Sequence, residues 1–346
     1  MLAVVVVEPG RVELVDLPKP SPGPYEVRVK TEAACLCNAT DGKLIAGHFP
    51  GVDTYPLMLG HESAGIVDVV GEKVRNFHVG DRVIGGLLFN AGDGRTASGW
   101  GGFCEYTLAA DHDAMVADGV ADAEHGWFEV YEIQRAVPRD IPVEAAVLLC
   151  TWREVYGGIG DFHLQPGDDL LLFGAGPVGL SFLKFGKLLG FGSVTVVDPV
   201  AAKREKAAAM GADAVLPPDP AALAELMAGR GKPFDVVVDA VGSTAIVNMA
   251  LPLIRLGGTI GVYGVVAEPA MTIEKGRGPY NFNLLVHQWP TRHRERAAQE
   301  PLCQWIREGK LRASDFISHE FPIRQIGDAI EQVRQGTVIK AILRYD

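Results

Sequence analysis

The sequence lacks the features that mark membrane-spanning, nucleic-acid-binding and disulfide-stabilised proteins. Its 346 residues contain no run of 18 apolar residues, so no membrane-spanning helix is expected. Acidic residues outnumber basic ones by 43 to 32, and the net charge of −11 argues against nucleic acid or anionic membranes as partners. The five cysteines are odd in number and widely scattered, which predicts reduced thiols and a cytoplasmic location. The apolar start has no basic segment before it and Glu8 after it, which predicts a β-strand rather than a signal peptide.

The chain is long enough to predict two domains of different architecture. Residues 1–110 carry short β-branched runs separated by glycine and proline, which is typical of an antiparallel, barrel-like β-domain. Residues 143–265 alternate helical patterns with buried strand patterns, which predicts a parallel doubly wound sheet. Residues 111–136 are acidic and irregular, and their pattern predicts no regular element.

Within the second pattern, individual elements can be placed from hydrophobic periodicity. Strands are expected near 170–173, 193–197, 235–238 and 259–263, and helices near 177–189, 200–210 and 244–255. Towards the end of the chain, helices are expected near 297–307 and 326–335, and a strand over 340–344.

A glycine turn between a strand pattern and a helix pattern predicts a dinucleotide site. The candidate cofactor-binding residues of this turn are Gly174, Gly176, Pro177, Val178 and Gly179. The first glycine allows a tight turn, the second lets the backbone approach a pyrophosphate, and the third allows close packing of helix on strand. The first amides of the helix then face the phosphates.

Asp198 ends the next strand pattern, 19 residues after Gly179. A carboxylate there accepts hydrogen bonds from the adenosine ribose hydroxyls and repels a 2′-phosphate, so NAD is predicted over NADP. Lys203 is a further candidate for cofactor binding. If Lys203 and Arg204 face the cofactor, their positive charges weaken the preference for NAD. Alternatively, both side chains lie in solvent on the first turn of the next helix.

Two cysteines and one histidine, widely spaced along the chain, form a candidate metal site. Cys37, His61 and Cys150 together offer two thiolates and an imidazole, which suit Zn²⁺ and leave a fourth position open, as in catalytic sites. Taken singly, each residue has an ordinary explanation: a buried cysteine often packs as a small apolar residue, and the Gly-His pair can simply turn the chain. Cys35 is the alternative to Cys37, and Glu62 either completes the ligand set or orients a ligand.

These motifs together resemble the zinc-dependent medium-chain dehydrogenase/reductase family over nearly the whole chain. They are Cys37 with Asp41, Gly60–Glu62, Gly80–Val83, Gly101–Tyr106, Cys150 with Tyr156, Gly174–Gly179 and Gly257–Gly261. The resemblance implies an α/β protein with a GroES-like β-barrel catalytic domain and a Rossmann NAD-binding domain, with zinc in the cleft between them. It implies domain limits of 1–151 and 287–346 for the catalytic part and 152–286 for the Rossmann part.

The sequence departs from this family in three places. Residues 85–106 contain only Cys104, so the structural zinc of many relatives is expected to be absent and one catalytic zinc per chain remains. Ala39 stands where relatives carry a hydroxyl, so Thr40 is predicted to begin the proton relay, with Asp41 as the supporting acid and Lys43 near its solvent end. His48 is the alternative route for the proton. Residues 111–136 match no segment of the family and are candidates for shaping the substrate pocket.

The resemblance implies an NAD-dependent zinc alcohol or polyol dehydrogenase that acts on a small-molecule alcohol or ketone, as a homodimer or homotetramer. Two alternatives stay open. The first is a zinc-free enone or quinone reductase of the same fold, and the second is a redox-silent dinucleotide-binding protein.

Overall fold

The computed structural model describes residues 1–336 and 338–345, which divide into two compact units. Unit 1 comprises Met1–Thr151 and the described residues from Arg296 onward, and unit 2 comprises Trp152–Glu295. The chain thus re-enters unit 1 at 296, after the position of 287 predicted for the return to the catalytic domain. No helix in the described ranges is both long and apolar enough to cross a membrane.

Strands and helices follow one another in the order that the alternating patterns predict. The strands are β1 (Leu2–Glu8), β2 (Arg11–Asp16), β3 (Glu26–Leu36), β4 (Leu57–Met58), β5 (Ser63–Val70), β6 (Arg82–Ile84), β7 (Ala97–Ser98), β8 (Tyr106–Ala110), β9 (Arg135–Val137), β10 (Asp169–Phe173), β11 (Ser193–Val197), β12 (Ala214–Leu216), β13 (Phe234–Asp239), β14 (Ile254–Val262), β15 (Asn283–Val286), β16 (Ile317–Pro322) and β17 (Lys340–Arg344). The α-helices are α1 (Thr40–Ala46), α2 (His112–Ala117), α3 (Val143–Asp161), α4 (Pro177–Leu189), α5 (Ala201–Ala209), α6 (Pro220–Arg230), α7 (Thr244–Ala250), α8 (Arg292–Ala297), α9 (Gln299–Arg307) and α10 (Ile326–Arg334).

Unit 1 is built from two sheets. One has the strand order β2-β1-β4-β7, and the other has the order β16-β17-β3-β5-β6-β9, with β8 also paired to β3. The long strand β3 is central because its alternate residues are buried and its edges pair antiparallel with β5, β8 and β17. The pairing of β3 with β17 sets Cys35 opposite Ile342 and so brings the end of the chain to the start of α1.

Unit 2 is a six-stranded sheet in the order β12-β11-β10-β13-β14-β15, and every neighbouring pair is parallel. This order is that of a Rossmann fold, and it confirms the predicted doubly wound sheet. The central strand β10 is buried along its whole length, which explains its uninterrupted apolar sequence. Its carboxyl end meets the carboxyl ends of β11 and β13, where such sheets bind ligands.

Some elements differ from the sequence prediction, each for a local reason. The helix expected over 244–255 ends at Ala250 and continues only as a short 3₁₀ turn, because Pro252 cannot supply the next backbone N–H. The helix expected over 297–307 is α9, which begins at Gln299 after the separate short helix α8. Residues 111–136 contain α2 and two 3₁₀ turns, and α2 is capped by the Asp111 carboxylate, which accepts from the Ala114 N–H.

Candidate active site

The turn after β3 places Cys37 and fixes the acid that follows it. The backbone N–H of Cys37 donates to Asp41 Oδ2 at 2.8 Å, and the Asp41 N–H donates back to the Cys37 carbonyl at 3.1 Å. The other carboxylate oxygen of Asp41 lies 3.3 Å from His61 Nδ1. Asp41 therefore contacts both the cysteine turn and the imidazole, as residues around a metal site often do, and its part as supporting acid of the proton relay stays a prediction.

His61 is positioned by a glycine that no other residue could replace. Gly60 has a φ of +99°, and a Cβ there would lie 2.2 Å from the Phe103 ring. The Gly102 N–H also donates to the Gly60 carbonyl at 2.6 Å. The chain can thus turn sharply before β5 and present the imidazole beside Cys37.

Cys37, His61 and Glu62 form a compact group of metal-binding side chains. One ligand atom from each lies within 4.8 Å of those of the other two. Burial would lower the pKa of His61, but the Asp41 carboxylate and then the Cys37 thiol raise it well above its ordinary value. Burial would raise the pKa of Cys37, but a hydrogen bond to His61 and the charges of His61 and Lys340 hold it below its ordinary value. The same contacts thus favour a thiolate on Cys37 and a proton on His61, and a metal ion would bind the thiolate and displace that proton.

Glu62 is held by a buried lysine. Lys340 Nζ donates to Glu62 Oε1 at 2.6 Å and to Thr151 Oγ1 at 3.3 Å, and the lysine side chain is only 1% exposed. Burial would lower the pKa of Lys340, but Glu62 and the nearby cysteines raise it, so the amine stays charged. Glu62 Oε2 is buried and has no hydrogen-bond partner among the described residues. A buried carboxylate oxygen without a donor fits a site that receives a cation.

Cys150, the third predicted ligand, and Cys35, the alternative to Cys37, differ in their surroundings. Cys150 lies in α3, and its Sγ is 3.7 Å from the Ser63 carbonyl oxygen. It is not part of the compact metal-binding group, whose third member is Glu62. Ser63 begins β5 two residues after His61, so Cys150 borders the same turn. Cys35 is fully buried within β3, and burial raises its pKa well above the ordinary value. The contacts therefore favour Cys37 over Cys35 as a ligand.

The predicted relay residues lie on and just after α1. Thr40 is the first residue of α1 and Lys43 is one helical turn later, so both face the same side of the helix, and both are half-buried. Ala39 precedes the helix and is exposed. His48 follows the left-handed Gly47 that ends the helix, and its side chain is exposed.

The glycine turn in unit 2 has the geometry that its sequence predicts. Gly174 has a φ of +100°, which permits the tight turn after β10. A Cβ on Gly179 would lie 1.9 Å from the Gly174 carbonyl oxygen, so only glycine allows α4 to pack this close. A Cβ on Gly176 would meet nothing within 4 Å, which leaves open space where a phosphate could approach the backbone. Pro177 and Val178 form the first turn of α4.

Asp198 lies directly after β11 and is nearly fully buried. Its carboxylate oxygens accept from the Ala175 and Val200 N–H groups, each at 2.8 Å, which holds it against the glycine turn. Arg204 donates to the Asp198 and Pro199 carbonyls at 2.7 and 2.9 Å, so its guanidinium stabilises the start of α5. Lys203 is half-buried on the same turn.

Two charged residues at these sites are not predicted from the sequence. Lys340 begins β17, next to three apolar residues that are buried, and a charge beside such a run is the signal that could have pointed to a buried partner. Asp239 ends β13 and accepts from the N–H groups of Val241, Gly242 and Ser243, so it shapes the loop beside Gly174. Its signal is an acid at the end of a buried strand, with a glycine three residues later.

Comparison with known families agrees with these two units. Residues 23–118 match the alcohol dehydrogenase GroES-like domain, and residues 177–287 match the zinc-binding dehydrogenase domain. A probable zinc-binding alcohol dehydrogenase of Mycobacterium tuberculosis is 33% identical over 100% of this chain and 89% of its own length. A sorbitol dehydrogenase of Halalkalibacterium halodurans is 25% identical over 96% of both chains.

Solved structures agree on the fold. A crystal structure of the alcohol dehydrogenase RspB from Escherichia coli CFT073, complexed with NADH, superposes with a TM-score of 0.81 at 23% identity and covers 100% of this chain and 99% of its own. The fold is that of the alcohol dehydrogenases, with the GroES-like and Rossmann parts predicted from the sequence. The chain belongs to the zinc-dependent medium-chain dehydrogenase family and is an oxidoreductase of the alcohol and polyol dehydrogenase type.

Proposed function

We propose that this protein is an NAD-dependent zinc alcohol dehydrogenase that interconverts a secondary alcohol or polyol and its carbonyl compound. The observation that carries the proposal is the group of thiol, imidazole and carboxylate within 4.8 Å, with one buried carboxylate oxygen left without a donor. A redox-silent dinucleotide-binding protein or a zinc-free reductase has no need for such a group.

Cys37, His61 and Cys150 would hold the zinc, with Glu62 beside it. When bound, zinc supplies polarisation of the substrate oxygen, and NAD⁺ accepts the hydride. Asp41 keeps the His61 ring oriented through its 3.3 Å contact with Nδ1. Lys340 holds the Glu62 carboxylate in place through its hydrogen bond to Oε1.

The proton of the alcohol leaves through the side chains of α1. Thr40 accepts it at Oγ1 and passes it towards Lys43, which lies one helical turn away. His48 is exposed beyond the end of α1 and offers the alternative exit.

Asp198 gives the preference for NAD over NADP. Its buried carboxylate has lone pairs left for the ribose hydroxyls after accepting the two backbone N–H groups, and its charge repels a 2′-phosphate. Arg204 donates to two backbone carbonyls, which supports a structural role for this side chain rather than a role in binding the 2′-phosphate of NADP. Lys203 stays a candidate contact to the cofactor.

The test combines turnover with metal analysis on the same sample. Purified protein is offered a panel of primary alcohols, secondary alcohols and polyols with NAD⁺, and the absorbance of the reduced cofactor is followed. We expect turnover that requires zinc and is lost in Cys150→Ala. Cys104→Ala is the matched control, because Cys104 is buried against Met58 Sδ at 4.0 Å and belongs to no metal group. Full turnover by Cys150→Ala or by zinc-free protein would overturn the proposal.

A further inference from the structure

Trp100 adopts a backbone conformation that bulky residues rarely occupy. Its φ is +72°, in the left-handed region, and it is one of two non-glycine residues with positive φ in the described chain. Such strain in a large side chain persists only where the surroundings enforce it, and it concentrates at functional sites.

The surroundings of Trp100 enforce this conformation from both sides. The Leu88 N–H donates to the Trp100 carbonyl, and the Gly99 N–H donates to the Met58 carbonyl, each at 2.7 Å. A Cβ on Gly101 would lie 2.7 Å from the Leu88 carbonyl oxygen, so the backbone here has no room to relax. The strained turn therefore fixes the direction in which the indole projects.

The indole projects onto the metal-binding group. Its ring centroid lies 5.7 Å from that of His61 and 5.5 Å from that of Phe49, and both pairs meet edge to face. Phe49 and Trp100 are each half-buried and pack against each other, and this pair forms an aromatic wall that meets the imidazole through Trp100.

We infer that this aromatic wall selects the substrate: an alcohol or carbonyl compound whose reacting carbon carries an aromatic or branched apolar group, in preference to a polyol. The inference rests on the proposed function and narrows it. A substrate oxygen bound in place of the fourth ligand must come close to His61, so its neighbouring carbon atoms lie within reach of the wall. Apolar substituents gain contact with the rings there.

A polyol gains less at the same place. Ring carbons accept and donate no ordinary hydrogen bonds, so each hydroxyl that leaves water against the wall loses its partners. The aromatic wall is therefore expected to favour apolar substituents over hydroxyl-bearing ones, through lost hydrogen bonds as well as through shape.

The test compares the turnover of different alcohols in variants that change the Trp100 side chain and preserve the backbone conformation at this position. Trp100→Gly removes the ring while suiting the left-handed φ, and Trp100→Phe keeps an aromatic group. Phe128→Ala is the control, because Phe128 is an aromatic residue of the same unit that is 51% exposed and contacts Phe89 and Tyr131 rather than the site. We compare kcat/KM for 1-phenylethanol, isopropanol and sorbitol, and we measure zinc content and, by ligand-observed NMR, the affinity for 1-phenylethanol.

Wild-type protein should prefer 1-phenylethanol to sorbitol. Trp100→Gly should lose roughly 10- to 100-fold in kcat/KM and in affinity for 1-phenylethanol, with little change for isopropanol and with full zinc content. Trp100→Phe should recover part of the loss. An equal loss on all three alcohols, or a wild-type preference for sorbitol, would overturn the inference and leave the proposed function standing. No NAD-dependent turnover of any alcohol by zinc-loaded wild type would overturn both.

Discussion

The glycine turn of unit 2 and the metal-binding group of unit 1 are assembled in opposite ways. The first lies within six consecutive residues, and its geometry depends on backbone and on missing side chains, as at Gly176 and Gly179. The second joins side chains from the turn after β3 and the turn before β5, and it is held by Lys340 of β17, which follows Glu62 by more than 270 positions. A local site can be predicted from its spacing, whereas a dispersed one depends on strand pairing.

The largest expected effect concerns the dispersed site. Thr40→Val keeps the shape of the side chain and removes the hydroxyl that is proposed to take the proton. We expect kcat to fall by about 10²- to 10⁴-fold, with zinc content and NAD affinity unchanged. Steady-state kinetics across neutral pH measure this. Wild-type kcat in Thr40→Val would show that the proton leaves by His48 or through water.

Two glycine variants test whether the local site works through its backbone. In Gly179→Ala the new Cβ would lie 1.9 Å from the Gly174 carbonyl oxygen, so unit 2 should lose more than about 3 kcal/mol of stability. In Gly176→Ala the new Cβ meets only open space, so stability should hold while NAD affinity falls by about tenfold or more. Chemical denaturation and calorimetric titration separate the two. Similar losses of stability in both variants would contradict this division.

Asp198→Ala should narrow the preference for NAD over NADP by about 10- to 100-fold, since it removes charge-assisted hydrogen bonds and the repulsion of the 2′-phosphate together. The ratio of kcat/KM values for the two cofactors measures the effect. Comparable values for both cofactors in the wild type would mean that Asp198 does not select. Lys203→Ala is the companion variant, and a fall in NADP use alone would place that lysine at the phosphate.

The smallest expected effect is on stability, when the buried carboxylates Asp111 of unit 1 and Asp239 of unit 2 are replaced. The two contributions to stability should depend on pH in opposite directions. Backbone N–H groups and Asn76 overcome the effect of burial and lower the pKa of Asp111. Its stabilising contribution, about 1–2 kcal/mol, is therefore present above the unfolded pKa and lost as pH falls through the folded pKa. Burial raises the pKa of Asp239, so its contribution is present below the unfolded pKa and lost as pH rises through the folded pKa.

Denaturation of Asp111→Asn and Asp239→Asn from acid to neutral pH measures this difference. The gap between wild type and Asp111→Asn should widen as pH rises from the acid side. The gap between wild type and Asp239→Asn should narrow over the same change. Parallel curves for the two variants would show that one of the two shifts has the wrong direction.

The same contrast explains how much the sequence alone could predict. The strands and helices around the glycine turn and Asp198 were predictable because hydrophobic periodicity and turn residues act over short distances. The part played by Lys340 was not, because it depends on β17 pairing with β3. The 3₁₀ ending of α7 also escaped prediction, since caps and single turns leave weak signals.

The candidate ligands show the limit of pattern reasoning most clearly. Cys35 and Cys37 are two residues apart, and the sequence alone offers both. Only the fold shows that Cys35 is buried in β3 with a raised pKa, whereas Cys37 meets His61 in the turn beyond it. Trp100 could not be singled out either, because its importance lies in a φ of +72° that the sequence does not reveal.

The most direct test of the account is the zinc content of the wild type and of two cysteine variants, measured by mass spectrometry after purification without added metal. The account predicts one zinc per chain in the wild type, almost none in Cys37→Ala, and one in Cys35→Ala. Two zincs per chain in the wild type, or loss of zinc in Cys35→Ala with retention in Cys37→Ala, would contradict it.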